Sequence, residues 1–203
     1  MSETTSSPQP LGLQDPTTLP RLLGISGSLR RMSNCTAVLH ALRPLLADRA
    51  VFDVMTLHDV PMYNADLEGD ALPEGVRGLK QAVAGADALV ICSPEYNYGM
   101  PGVLKNAIDW ASRPGFASPL KGKPALIVTT SPGLFGGVRA QSHIRDALAA
   151  TLARPVARPH VAIPAVDKKL VDGRIVDDTT LQLLRAALDD LLAEVTLIAS
   201  ARL

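Results

Sequence analysis

The chain has 203 residues, enough for one well-buried domain, and its 20 basic and 20 acidic side chains leave a formal charge of zero. That balance removes the general electrostatic basis for binding nucleic acid or an anionic membrane, and an aromatic content of 3% argues against a base-stacking surface. The apolar runs are too short to cross a bilayer and the N-terminus lacks the order of a signal peptide, so a cytoplasmic protein without a membrane segment is expected.

Met1 to Leu19 is rich in Ser, Thr, Pro and Gln without periodicity and reads as a disordered tail, leaving residues 20–203 as the domain. From Arg21 a short apolar strand ends near Ser26. A Gly and Ser loop follows, and then a helix with Val38, Leu39, Leu42, Leu45 and Leu46 inward, which Pro44 should kink or shorten. In the loop, Gly27 permits a tight turn, the hydroxyls of Ser26, Ser28 and Ser33 can donate, and the helix start offers N–H groups to an anion. Arg30 adds a planar cationic fork suited to phosphate oxygens. Gly24 and Gly27 do not make the dinucleotide fingerprint, and no GK[ST] follows.

Val51 to Leu57 reads as a second strand, leading into a long polar connection that contains PMYNADLE; Val76 to Ala84 reads as a short helix. Ala88 to Cys92 is an unbroken apolar run, as expected of a strand covered on both faces of a parallel sheet. Pro94, Gly99, Pro101 and Gly102 then punctuate a loop carrying Glu95, Tyr96, Asn97 and Tyr98. Pro101 suits the first turn of the next helix, whose Val103, Leu104, Ala107, Ile108 and Ala111 share one face. Polar and aromatic groups gathered at the carboxyl end of a strand mark the ligand position of open α/β sheets.

Pro124 to Thr130 is the next buried strand. Ser131 and Gly133 follow it in a glycine-rich loop that opens a helix carrying Ile144, Ala147, Leu148 and Leu152. A last strand around Val156 to Ile163 contains Pro159 and follows Pro155, so it belongs at a sheet edge. Asp177 or Asp178 can cap the final helix, with Leu184, Ala187, Leu188, Leu191, Val195 and Ile198 as its core stripe. Five βα units specify a doubly wound α/β domain. Cys35 and Cys92 lie in separate elements and read as packed thiols; His40, His58, His143 and His160 follow no nucleophile-elbow order, and no metal-ligand spacing is present.

The run SPEYNYGMPGVLKNAIDW, Ser93 to Trp110, resembles the flavin loop of the NADPH-dependent FMN reductase family, a flavodoxin-like group that includes quinone, chromate and azo-dye reductases. GSLRRMS, Gly27 to Ser33, resembles its GSLRxxSxN phosphate loop, with Cys35 standing at the family's Asn position; PMYNADLE and the Ser131-Pro132-Gly133 loop are also similar to family segments. The resemblance implies a five-stranded flavodoxin-like sheet in order 2-1-3-4-5. It also implies FMN held by Ser26, Ser28, Arg30, Ser33, the Pro94–Gly99 loop, Ser131 and Gly133. Its implied activity is an NADPH- or NADH-dependent reduction of a small-molecule electron acceptor, quinones first and chromate, azo or nitro compounds after them, by two-electron ping-pong hydride transfer. A flavin reductase supplying reduced FMN to a monooxygenase and a flavodoxin-like electron carrier are the alternatives, the second disfavoured by the absence of a strongly acidic composition. A homodimer or homotetramer is implied, with the long loop after the second strand near the subunit contact.

Overall fold

The computed structural model describes residues 19–201; the expected N-terminal tail lies, up to Thr18, outside them. Strands β1 (Arg21–Ser26), β2 (Val51–Met55), β3 (Ala88–Ser93) and β4 (Pro124–Thr130) run parallel in the spatial order β2-β1-β3-β4. The fifth position is shared by two short strands, β5 (Arg154–Pro155) and β6 (Val161–Ile163), both parallel to β4. The expected order therefore holds, while the single strand expected over Val156 to Ile163 is two pieces. Pro155 and Pro159 cannot donate to a ladder, which limits pairing here to short stretches at the edge.

Alternation along the strands assigns each face of the sheet. Leu23, Ile25, Leu89, Ile91, Ala125 and Ile127 point to one side, where helices α2 (Glu74–Gly85), α3 (Gly102–Ala111) and α4 (Val138–Ala150) cover them. Leu22, Ala88, Val90, Cys92, Leu126 and Val128 point to the other, under α1 (Asn34–Leu46) and the C-terminal helix. Every residue of β3 and β4 is buried, as continuous apolar strands of a doubly covered sheet should be.

Several boundaries differ from expectation for local reasons. Ser33 caps α1, and Pro44 sits inside it only two residues before its end at Leu46. Pro101 is the N-cap of α3 rather than part of its first turn. Helix α4 stops at Ala150, and Leu152, with φ of 63°, turns the chain back toward β5. Beyond β6 a four-residue helix, α5 (Val166–Lys169), and a hairpin of β7 (Leu170–Val171) and β8 (Arg174–Ile175) precede α6 (Asp178–Ser200), which Asp177 caps. The 23 residues of α6 outrun the sheet: Leu184, Ala187, Leu188 and Leu191 are buried, whereas Val195 and Ile198 are only half-buried. Cys35 and Cys92 are both buried and free, and burial pushes the Cys92 thiol up from its ordinary range. All four histidines are exposed, and no group of three or more His, Cys, Asp or Glu that could hold a metal occurs among the described residues. Nor is any described helix long and apolar enough to cross a membrane.

Candidate flavin site

Parallel pairing places the loops after β1, β3 and β4 side by side, because Ser26 is level with Cys92 and Ser93 with Thr129. The first two loops touch. The Gly27 amide donates to Cys92 O at 2.8 Å, and a Cβ on Gly27 would stand 2.9 Å from Ser93 Oγ and 3.2 Å from Ser93 Cα. Only a residue without a side chain lets the first loop lie this close to the end of β3.

Within the first loop the serine hydroxyls build the turn. Ser26 Oγ, fully buried, pairs with Thr36 Oγ1 at 2.8 Å and reaches Ser28 O at 3.4 Å. Ser28 Oγ accepts from Arg30 N at 3.3 Å, and Ser33 Oγ accepts from Thr36 N at 3.3 Å as the cap of α1. Ser28 and Ser33 thus act as acceptors and keep their hydroxyl protons available, whereas Ser26 is committed to the loop itself. The first-turn amides of α1 at Asn34 and Cys35 precede the point where intrahelical bonding begins, so they form an anion cradle. Arg30 is exposed, with Nη2 donating to Met32 O at 2.8 Å, and Arg31 beside it is exposed too. His58, which sequence reasoning gave no role, spans from β2 to this loop through Nε2 and Leu29 O, 2.9 Å apart.

The loop after β3 is a two-residue reverse turn. Tyr96 and Gly99 exchange both backbone hydrogen bonds, at 3.0 and 2.9 Å, with Asn97 and Tyr98 between them at φ of 49° and 66°. A left-handed tyrosine is an outlier, and such outliers cluster at ligand sites. Pro94 and Glu95 are half-buried, while Tyr96 and Tyr98 are 53% and 66% exposed. With Leu134 and Phe135 from the loop after β4, 82% and 61% exposed, they form an apolar rim at the carboxyl edge of the sheet. The Arg139 guanidinium lies 4.1 Å from the Tyr98 ring centre and 5.3 Å from that of Phe135.

The Glu95 carboxylate is engaged within the protein, accepting from the amides of Arg139 at 2.8 Å and Ala140 at 3.4 Å. Ser131 is likewise engaged: its amide donates to Ile163 O, its carbonyl accepts from Val166 N, and its hydroxyl donates to Gly133 O at 3.3 Å. Gly133 O also accepts from Ala165 N at 3.1 Å. Of the polar groups expected from this third loop, these are occupied within the protein, which leaves backbone approach as its contribution to a ligand.

The long connection after β2 is anchored on α3. Asn106 Oδ1 accepts from Tyr63 N at 2.7 Å, while Asn106 Nδ2 and Trp110 Nε1 donate to Pro61 O at 2.9 and 2.8 Å. The Tyr63 ring meets Trp110 edge-on at 4.8 Å, and its hydroxyl donates to Glu68 Oε1 at 2.6 Å. That hydrogen bond, followed by desolvation, raises the phenol above its ordinary value. Asn106 and Trp110, four residues apart on one helical face, were the legible signal for this anchor.

An open parallel α/β sheet whose first, third and fourth loops bring together an anion cradle, exposed arginines and an aromatic rim defines a flavodoxin-like mononucleotide-binding protein. The chain belongs to the NADPH-dependent FMN reductase family, whose profile matches residues 20–168. It is 40% identical over 172 residues to an NAD(P)H-dependent FMN reductase of Pseudomonas aeruginosa, covering 84% of this chain and 92% of the relative. It is also 40% identical over 166 residues to a 2-hydroxy-1,4-benzoquinone reductase of a Burkholderia species, covering 81% and 90%. Among solved structures it is similar to the flavoenzyme NAD(P)H:(acceptor) oxidoreductase of Paracoccus denitrificans, with a TM-score of 0.77 and 32% identity over 88% of this chain and 98% of that one.

The residues fit FMN. A single phosphomonoester matches one helix N-terminus beside two arginines, and the exposed aromatic and apolar side chains of Tyr96, Tyr98, Leu134 and Phe135 suit a planar ring. Thr130 Oγ1, buried at the end of β4 without a protein partner, is a polar group left open at the same sheet edge.

Proposed function

We propose that this protein is an FMN-dependent NAD(P)H oxidoreductase that reduces quinones to quinols, with other small electron acceptors as further substrates. The observation that carries this reading is the meeting of the cradle at α1 with the apolar rim built on the Tyr96–Gly99 turn. When bound, FMN supplies two-electron redox chemistry that protein side chains lack, so the site needs positioning groups rather than a nucleophile or metal. The α1 amides, Ser28, Ser33, Arg30 and Arg31 would hold the phosphate. Backbone groups of Pro94 to Gly99 would line the ring, and Gly133 would approach its edge.

Tyr96, Tyr98, Leu134 and Phe135, exposed on the rim, would offer flat apolar contact to a nicotinamide or a quinone in turn. The balanced reaction is NAD(P)H plus a proton plus quinone giving NAD(P)⁺ plus quinol. One face serving both substrates in succession requires ping-pong kinetics, seen as parallel double-reciprocal lines when each substrate is varied; intersecting lines would contradict it. Cofactor released by heat and identified by chromatography tests the flavin assignment, with FMN expected and FAD contradicting it.

A homodimer or homotetramer in the cytoplasm completes the reading. A groove of about 330 Å³ between α3 and α4, lined in part by Ile108, Ala147, Leu152 and Phe116 together with the charged Lys105, Asp109 and Arg113, offers a mixed contact face, and Phe116 is 82% exposed. Met62 of the long connection, 76% exposed, offers another contact.

A further inference from the structure

Helix α4 begins without a cap of its own. Its N-cap is Gly137, which has no side chain to accept a hydrogen bond, and its first turn holds no acidic residue. Glu95, more than forty positions earlier, supplies the missing acceptor: Oε2 takes the amides of Arg139 and Ala140, while Oε1 lies 3.6 Å from Arg139 Nη1. The Glu95 side chain is only 13% exposed, and a Cβ on Gly137 would stand 3.4 Å from that of Glu95, so the two loops are in direct contact at this point. The same arginine stacks on Tyr98, whose left-handed backbone needs support from outside the turn.

We infer that Glu95 is a positioning residue that ties the turn after β3 to the start of α4 and thereby fixes the two loops relative to each other. The inference rests on the flavin reading of those loops. Glu95 acts at a distance from the ring: its carboxylate holds Arg139, Arg139 holds Tyr98, and Tyr98 holds the turn in the conformation that lines the ring. Because α4 and Arg139 together neutralise the carboxylate, little free negative charge from Glu95 reaches the site.

The test compares Glu95→Ala with Glu95→Gln. The amide oxygen of Gln accepts from the same two N–H groups, so Glu95→Gln should bind FMN within about threefold of the native protein, and Glu95→Ala about tenfold more weakly. In a Tyr98→Gly background the turn no longer needs holding, and the Glu95→Ala effect should shrink to less than about threefold, a coupling that a general loss of stability would not produce. Amide exchange in the flavin-free protein gives an independent readout: Arg139, Ala140 and Gly99 should exchange faster together in Glu95→Ala. Native-like exchange at all three, or an unchanged FMN dissociation constant in Glu95→Ala, overturns the inference. If Glu95→Ala does not fold, full FMN affinity in Glu95→Gln with unaltered Arg139 and Ala140 exchange supports the inference, and loss of either overturns it. Failure of the native protein to bind FMN counts against the functional reading alone, since the exchange measurement needs no flavin.

Discussion

Gly136 bears the loop after β4 against the end of β6, and replacing it with alanine is the sharpest perturbation of the site's outer wall. Its φ is 59°, and an added Cβ would lie 2.8 Å from the carbonyl carbon and nitrogen of Ile163 and from Pro164 N. These are backbone atoms of an edge strand, so they cannot rotate aside as a flexible side chain would. Overpacking of this kind costs about 1 to 3 kcal/mol. The left-handed conformation adds about 1 to 2 kcal/mol for a residue with a Cβ, offset by about 0.5 to 1 kcal/mol from the lower entropy of the unfolded chain. The sum is about 1 to 4.5 kcal/mol, or a fall in thermal midpoint on the order of 2 to 18 °C for a domain of this size. Trp110 is fully buried, so its fluorescence reports the transition. Gly78, inside α2 with nothing within 4 Å of the place a Cβ would take, is the control: Gly78→Ala should stabilise by about 0.5 to 1 kcal/mol. A Gly136→Ala protein within about 0.5 kcal/mol of native, the usual range of surface substitutions, would refute the packing account of this loop.

Three further outcomes are expected. Arg30→Ala should weaken FMN binding by about 1.5 to 3 kcal/mol in a flavin-fluorescence titration, the scale of a hydrogen bond to a charged group, and an unchanged dissociation constant would return Arg30 to the solvent. Tyr63→Phe should remove a phenol that, held by its hydrogen bond to Glu68, ionises above the ordinary tyrosine range in an ultraviolet titration. Since the folded value is raised, the stabilisation from the Tyr63 to Glu68 contact is complete below the unfolded value and is lost as pH rises through the folded one, so Tyr63→Phe and native protein should differ at neutral pH and converge in alkali. Light scattering should report a dimer or tetramer at micromolar concentration; a monomer would remove the quaternary part of the reading.

The sheet was legible because its strands are buried on both faces: Leu22 to Ile25, Ala88 to Cys92 and Pro124 to Thr130 are continuous apolar runs, and that pattern needs no tertiary information. Strand order was not legible from pattern and rested on resemblance. The β7–β8 hairpin was legible and overlooked, since Asp172-Gly173 between Leu170–Val171 and Arg174–Ile175 has the composition of a tight hairpin turn, with both residues at positive φ.

In the candidate site, residue types pointed to loops that the sheet brings side by side, while the use of each polar atom was hidden. Ser26, Ser131 and Glu95 looked like ligand groups, yet Thr36, Gly133 and the start of α4 take their hydrogen bonds. The Glu95 partners, more than forty positions away, follow from β3 and β4 lying side by side, which a linear reading does not contain. The same holds for His58, whose contact with Leu29 O depends on β2 pairing beside β1.

The FMN-loaded protein should pass electrons from a nicotinamide to a small acceptor with no separate electron-carrier protein present. Absorbance in an anaerobic cuvette follows both half-reactions. Addition of NADPH or NADH should bleach the oxidised-flavin bands, and a stoichiometric amount of a simple benzoquinone should restore them in full. Bands that neither nucleotide bleaches, or that bleach and do not return with the quinone, would contradict the account.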